Sequence, residues 1–456
     1  MKQISFQTVR NAGKSAWLIA LALILGATFL VYFNAFSGTF QYDDYNVIVD
    51  NPRVHSLAEW LRNLGSIRPV LKLSYALNWV FGTGPWGFHF VNLTIHSANG
   101  LLAFAFLKRF TPNGKDAEWM ALAAAVIFVV HPAQTEAVTY ICGRSTSLFT
   151  LFYLASAVAY LQGREQGSRA WNLLSVLLFL LACLTKETAL TLPFALLLWE
   201  RAAKPWKGLK ASLRATSAHW TLFCVICILF ALLPVQRALL AASFSTRSVP
   251  MNLLNQVQAQ GYLLEIWCWP AHLNIDPLLP VATRLTWAIT GKAALLLSLL
   301  SLGLFSLRSR PWLGFGLLWF FLHLVPTNSF IPRLDLVNDR QLYLPSLGLA
   351  FALMGVARAG FRRFDVGDKW ATACLLLLLL PLGVRTILRN RDYRTEITLW
   401  RSSVEEAPRN PRAYNNLGYA YLLERDKEQA RKAFEAALAL DPAYGKARGN
   451  LETINR

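Results

Sequence analysis

Residues 17–36 read WLIALALILGATFLVYFNAF, a run without a single charged side chain. A helix perpendicular to a bilayer needs about 20 mostly apolar residues to cross the hydrocarbon core. The run is too long for the apolar core of a cleaved signal peptide, and no small-residue cleavage site precedes the polar stretch that follows it. We interpret it as the first membrane span of the chain.

Similar apolar runs recur through most of the sequence. Of its 456 residues, 55% are hydrophobic and 16% are charged, against about 25% charged residues in an average soluble protein. This composition excludes a soluble enzyme and predicts an all-α, polytopic membrane protein. We predict about eleven transmembrane helices, near residues 16–36, 89–107, 117–131, 146–162, 170–184, 188–200, 219–235, 286–306, 312–326, 342–357 and 369–384.

The positive charges predict an orientation in the membrane. The net charge is +19, and the inter-span segments 1–15, 108–116, 163–170, 201–218, 307–311 and 358–369 hold 19 Lys and Arg in 67 residues. The loops on the opposite side hold 11 in 134 residues. Because cytoplasmic loops carry the excess of Lys and Arg, we expect a cytoplasmic N-terminus and an outer C-terminal tail. The net positive charge is then explained by the membrane topology, and we expect no nucleic-acid partner.

The tail has a soluble composition and contains one helical repeat. We divide the chain into a membrane domain, residues 1–390, and a tail, residues 391–456. Residues 411–442 fit the tetratricopeptide pattern, with Tyr414-x2-Leu417-Gly418-x2-Tyr421 followed by Ala430, Phe434, Ala437 and Pro442. Three repeats are normally needed for stability, so the tail is expected to dock on the membrane domain or on a protein partner. It is either a structural cap or a site for an acceptor or partner, and its basic residues can face anionic membrane lipids.

Two adjacent carboxylates follow the first span, in FQYDDYNVIVDNPRV at residues 40–54. Asp43 and Asp44 lie in the first outer loop, residues 37–88, near the end of a predicted membrane span. Charged groups in such a place are costly unless they serve a function. Because neighbouring side chains point in different directions, one can accept a proton from a hydroxyl while the other positions the acceptor or a divalent metal such as Mg²⁺ or Mn²⁺. The alternative is a solvated pair of acids at a helix end.

Polar residues recur at the outer ends of the other predicted helices. His89, Asn92, His96 and Asn99 share one helical face, which predicts a bundle interior or a wet cavity. Each histidine could equally be a packing residue. Further candidates for lining a cavity or positioning an acceptor are His131, Glu136, Glu187 and Tyr343.

Four basic residues in the outer loops are candidates for binding a phosphate: Arg68, Arg144, Lys186 and Arg340. The sequence has neither a glycine-rich nucleotide loop nor a Cys/His cluster of zinc spacing. A group-transfer enzyme with an outward site would use an activated donor in the membrane, such as a polyprenyl-phosphate-linked sugar. Taken singly, each basic residue could instead be a charge at the membrane interface.

The motifs YDDYN (42–46), FHxxNxxxH (88–96), HPxxTEAVxxIxGR (131–144) and DRxLYLPS (339–346) together resemble the transmembrane and tetratricopeptide-repeat O-mannosyltransferase family. The resemblance implies a GT-C fold with eleven helices and inverting transfer of a sugar from a polyprenyl-phosphate donor to a hydroxyl. It also implies that Asp43 or Asp44 is the base. The family's acid–arginine pair appears here with a shorter acid, as Asp339-Arg340.

The short repeat tail points to a bacterial relative in the cytoplasmic membrane with a periplasmic tail, or to the endoplasmic reticulum membrane with a lumenal tail in a eukaryote. Protein O-glycosylation is the expected activity. The alternatives are a lipid or polysaccharide acceptor, or a non-enzymatic transporter or assembly scaffold that binds a partner through the repeat.

Overall fold

The computed structural model describes residues 6–82, 84–110, 115–202 and 206–455, and these residues form helices and loops without a strand. The expected all-α fold is confirmed. Residues 1–5, 111–114 and 203–205, which belong to three of the basic segments, lie outside the described residues.

Seventeen α-helices precede the tail in the described residues. They are α1 (Phe6–Tyr32), α2 (Leu57–Arg62), α3 (Pro69–Val80), α4 (Gly84–Leu107), α5 (Lys115–Val130), α6 (Thr135–Val138), α7 (Arg144–Gln166), α8 (Arg169–Thr185), α9 (Leu192–Ala202), α10 (Leu209–Ala215), α11 (Ser217–Leu232), α12 (Pro234–Thr246), α13 (Val249–Cys268), α14 (Trp287–Ser309), α15 (Pro311–Leu324), α16 (Pro345–Arg363) and α17 (Asp368–Asp392).

Each of the eleven apolar runs coincides with a helix, but fewer helices meet the length and composition of a membrane span. Within the described residues five do so: Ser15–Ser37, Gly84–Leu107, Ile141–Gln166, Trp287–Ser309 and Asp368–Asp392. Two bent helix pairs, α5 with 132–138 and α10 with α11, raise the number to seven. The chain therefore has the helices of a multi-pass membrane protein, and the count of about eleven is not confirmed.

The helices pack through small residues and leave an apolar outer surface. Gly316 on α15 lies against the Gly348 carbonyl on α16, so the two backbones approach closely. On α17, by contrast, Leu377 is 75% exposed, and on α14 Phe305 is 82% exposed. Exposed side chains of this size are expected where a helix faces lipid.

The tail consists of α18 (Glu396–Glu406), α19 (Pro411–Leu423), α20 (Lys427–Leu440) and α21 (Gly445–Asn455). Gly418 lets the Phe434 ring lie directly on the α19 backbone, as the repeat pattern requires. The tail docks on the membrane domain, because Trp400 and Leu417 share one apolar cluster with Ile48 and Phe88 of the first outer loop. Of the two expected arrangements, the structure thus has the tail docked on the membrane domain.

Candidate active site

A cavity of about 140 Å³ lies where the loops predicted to be outer meet. The loops 37–88, 185–187 and 327–341 all contribute to its walls, together with the start of α7. Its charged lining consists of one carboxylate, Asp43, and four cations, Arg68, Lys186, Arg333 and Arg340. A cavity with this imbalance attracts an anion.

The backbone of the first outer loop turns Asp43 toward the cavity. Tyr42 has a φ of 50°, in the left-handed region that non-glycine residues rarely occupy. The carboxylate of Glu396 in the tail holds this turn by accepting the Tyr42 backbone N–H at 3.1 Å. The Asp43 backbone N–H donates to the Tyr140 hydroxyl at 3.0 Å. Strained backbone of this kind often marks functional sites.

Asp44 faces the protein interior. One of its oxygens accepts the backbone N–H of Cys142 at 2.8 Å and the other accepts that of Gln41 at 3.0 Å. The residue is 1% exposed, and burial raises its pKa to about 7. Asp44 therefore joins the loop to the start of α7, and the two aspartates have different surroundings.

The two carboxylates do not fit a divalent metal site. Asp44 uses both oxygens on backbone N–H groups, and Asp43 shares its cavity with four cations. Among the described residues no group of three His, Cys, Asp or Glu side chains is placed to hold a metal ion. Hard cations such as Mg²⁺ require several oxygen ligands, which this cavity does not supply.

Arg340 is held in the cavity wall by a buried acid. Its backbone N–H donates to Glu136 Oε2 at 2.8 Å, and its Nε lies 3.5 Å from Glu136 Oε1. The neighbouring Asp339 points away, accepting the Tyr262 hydroxyl and the Asn274 backbone N–H, each at 2.9 Å. Burial raises the pKa of Asp339, and its neighbour Glu136 acts in the same direction. Glu136 thus positions Arg340, and Asp339 anchors the loop.

The chain is similar in sequence to known proteins over almost all of its length. Residues 411–444 match the tetratricopeptide repeat family. The chain is 26% identical to protein O-mannosyl-transferase F38B6.6 of Caenorhabditis elegans, in an alignment that covers 95% of the chain. It is 26% identical to protein O-mannosyl-transferase TMTC3 of Homo sapiens, in an alignment that covers 92% of the chain. The expected resemblance is confirmed. The chain spans 64% and 51% of the length of these two relatives.

Arg144 lies inside the protein, away from the cavity lining. It donates to Asn92 Oδ1 at 2.6 Å and to the carbonyls of Ser74 and Phe88 at 3.1 and 3.0 Å. The guanidinium also lies 5.0 Å from the centre of the Tyr75 ring. Each of its three nitrogens thus donates a hydrogen bond that joins α3, α4 and α7, and Arg144 does not line the cavity.

The polar face of α4 is buried between helices. His96 lies 2.7 Å from the Tyr343 hydroxyl, and Asn99 donates to the same hydroxyl at 3.0 Å. Near the start of α4, His89 lies 3.3 Å from the Gly38 carbonyl. His131 is also buried, with its Nε2 2.9 Å from the Trp267 carbonyl. Together with Asn92, these side chains connect helices of the bundle through hydrogen bonds. They do not line the cavity.

Glu187 and Lys186 lie together at the cavity. Glu187 binds Arg68 with two hydrogen bonds, of 2.6 and 3.1 Å, and is itself not a lining residue. Lys186 donates to the Thr146 hydroxyl at 2.7 Å, and burial lowers its pKa, assisted by Arg68 and Arg340. Arg68 itself has a φ of 57°, and Tyr42, the residue before Asp43, has a φ of 50°. Left-handed backbone therefore occurs at two points of this site.

Sequence reasoning missed Arg333 and Tyr140. Arg333 lies in the predicted outer loop 327–341, and a search for every basic residue in such loops would have found it. Tyr140 lies within the HPxxTEAVxxIxGR motif at a variable position, so the motif carried no signal for it.

The raised pKa of Asp44 predicts a pH-dependent stability. An acid whose pKa is near 7 when folded and near 4 when unfolded stabilises the fold only while protonated, by at most about 4 kcal/mol. The melting temperature in detergent should therefore fall as pH rises from 4 to 7. Asp44→Asn should flatten this slope, whereas the exposed Asp365→Asn should leave it unchanged. An unchanged slope in Asp44→Asn would contradict the assignment.

Proposed function

We propose that this chain is an integral-membrane glycosyltransferase of the GT-C class, which transfers a sugar from a polyprenyl-phosphate donor to a hydroxyl group of a protein. The observation that carries the proposal is a single carboxylate, Asp43, facing four cations in one cavity. The names of the similar proteins, protein O-mannosyl-transferases, support the same class of reaction and favour mannose as the sugar.

In the proposed reaction the acceptor hydroxyl attacks the anomeric carbon while the bond from that carbon to the donor phosphate oxygen breaks. Asp43 takes the hydroxyl proton, and attack opposite the leaving group inverts the anomeric centre. General-base catalysis contributes about 10²- to 10⁴-fold to such reactions. Burial raises the pKa of Asp43, and Arg340 and the Tyr140 hydroxyl oppose this rise, so the carboxylate is a stronger base than an exposed aspartate.

The departing lipid phosphate gains negative charge as the bond breaks. Arg68, Lys186 and Arg340 line the cavity and are the candidate groups that stabilise this charge, since preorganised cations act most strongly on charge that develops in the transition state. Glu136 and Glu187 orient two of these arginines. The membrane donor implies a cavity open to the outer or periplasmic face, with the tail on that face.

The test is a transfer assay with the full chain in lipid nanodiscs. Polyprenyl-phosphate mannose and serine- or threonine-containing peptides are supplied, and the mass of the peptide is followed. We expect one hexose to be added, with the opposite anomeric configuration from the donor. Transfer from a nucleotide sugar alone would contradict the proposal. Transfer to a lipid or polysaccharide acceptor, with none to peptides, would retain the class and replace the acceptor.

A further inference from the structure

Among the three arginines that line the cavity, Arg333 is the one that pairs with no carboxylate in the described residues. Arg68 pairs with Glu187, and Arg340 pairs with Glu136. In the described part of the chain no carboxylate lies within ion-pair distance of the Arg333 guanidinium, although the side chain is partly buried. Burial lowers the pKa of Arg333. Arg340 and Arg68 act in the same direction, and the carboxylates of Glu187 and Asp335 oppose them. A further anion would relieve this repulsion.

The loop that carries Arg333 has no regular secondary structure of its own between 328 and 338. It is fastened on one side by α13 and the residues before it. Asn252 donates to the Ser329 carbonyl at 2.7 Å, and Gln260 donates to the Asn328 carbonyl at 2.8 Å. The Arg247 guanidinium donates to the carbonyl of Arg333 itself. The region 236–285, to which the sequence assigned no role, therefore supports the cavity wall.

The tail fastens the other side of this loop. Arg412, in the first turn of α19, binds Asp335 at 2.9 Å, two residues after Arg333. The same guanidinium donates to Asp276 Oδ2 at 2.7 Å, and Asn410 donates to that oxygen at 2.9 Å. Charge-assisted hydrogen bonds to two carboxylates at once fix the geometry of an arginine better than a single bond does.

We propose that Arg333 binds the phosphate of the polyprenyl donor and that the tail, through Arg412 and Asp335, is the positioning element that holds it there. This inference rests on the proposed function. A sugar–phosphate–lipid diester carries one negative charge, and the polyprenyl phosphate released by transfer carries nearly two at neutral pH. Arg333, which forms no ion pair in the described part of the chain, matches the charge that appears during the reaction. The tail then has a role in the reaction besides capping the fold.

The experiment measures binding of polyprenyl phosphate to the full chain in nanodiscs of neutral lipid. Removing a charged hydrogen-bond partner of a phosphate corresponds to about ten- to a hundredfold in affinity. We expect Arg333→Gln to weaken binding by this amount and to lower the single-turnover transfer rate. Arg412→Gln and Asp335→Asn should weaken binding less, and Arg412→Lys should restore part of it. Lys432→Gln is the matched control, because Lys432 is on the tail and pairs only with Glu428 among the described residues.

A double variant separates positioning from general loss of structure. Once Arg333→Gln is present, adding Arg412→Gln should cause no further loss of affinity, since the two residues act on the same contact. Additive losses, or an Arg412→Gln effect that only follows a lowered melting temperature, would overturn the role of the tail. Unchanged polyprenyl-phosphate binding in Arg333→Gln would overturn the role of Arg333.

The outcomes distinguish this inference from the proposed function. If Arg340→Gln loses binding while Arg333→Gln does not, the proposed function stands and the inference is wrong. If the unmodified protein neither binds polyprenyl phosphate nor transfers a sugar, both are wrong. Inorganic phosphate and phosphatidylglycerol are tested as competitors. Competition by either at equal concentration would show a general anion site and would overturn the assignment to the lipid donor.

Discussion

Asp43→Asn is expected to lower the rate of sugar transfer by about 10²- to 10⁴-fold, the usual contribution of a general base. Asparagine has the same shape as aspartate but cannot accept the proton of an attacking hydroxyl. The backbone N–H of residue 43 would still donate to the Tyr140 hydroxyl, so the turn should be preserved. The measurement is the single-turnover rate at saturating donor, with the melting temperature as the check on folding.

Asp44→Asn is the matched control, because it makes the same chemical change at the next residue. Asp44 accepts two backbone N–H groups, and an amide can accept with only one of its two ends. We therefore expect a lower melting temperature and a smaller loss of transfer in the folded fraction. Full activity in Asp43→Asn together with complete loss in well-folded Asp44→Asn would reverse the assignment of the base.

The pH dependence of transfer provides a second readout of Asp43. Burial raises the pKa of this carboxyl, which means that it is protonated, and inactive as a base, at pH values where an exposed aspartate is already ionised. The acid limb of kcat/KM should consequently lie above the ordinary range for aspartate. Arg340→Gln should move this limb to still higher pH, because Arg340 lowers the pKa of Asp43. A limb that Arg340→Gln leaves in place would contradict this coupling.

The helices of this fold could be predicted from the sequence because hydrophobic runs depend on local composition alone. Every run in the described residues became a helix, and several ends agree within two residues, as for 170–184 and Arg169–Thr185. The number of spans could not be predicted in this way. α8 and α15 are short, and α5 is separated from 132–138 by a bend of 58°. Whether such pieces cross a bilayer depends on their packing, which a hydropathy pattern does not contain.

The polar residues of the site illustrate the same limit. The spacing of His89, Asn92, His96 and Asn99 predicts one shared face, and all four are buried on α4. Spacing alone leaves open whether that face meets a cavity or another helix, because the answer depends on partners such as Tyr343, 244 positions away from Asn99. Arg144 fits a phosphate site by its residue type, but its contacts with Asn92 and two carbonyls become visible only in three dimensions.

Trp400→Ala is expected to destabilise the protein by about 3–5 kcal/mol, the usual cost of truncating a buried aromatic residue. Trp400 is fully buried, its ring centre lies 5.0 Å from that of Tyr42, and its Nε1 donates to Glu396 at 3.1 Å. Glu396 in turn accepts the backbone N–H of Tyr42, the residue before Asp43. The variant should therefore leave a void and also loosen the turn that presents the proposed base.

Leu423→Ala is the control within the tail, because Leu423 is 48% exposed and should cost less than about 1 kcal/mol. Melting temperature and transfer rate are measured for both variants, with the rate taken below the melting transition. If the tail were only a cap, Trp400→Ala would lower the melting temperature and leave the rate of the folded protein unchanged. A lower rate in folded Trp400→Ala, with donor binding retained, would instead show that the tail holds the Tyr42 turn in its reactive geometry, independently of the Arg412–Asp335 ion pair.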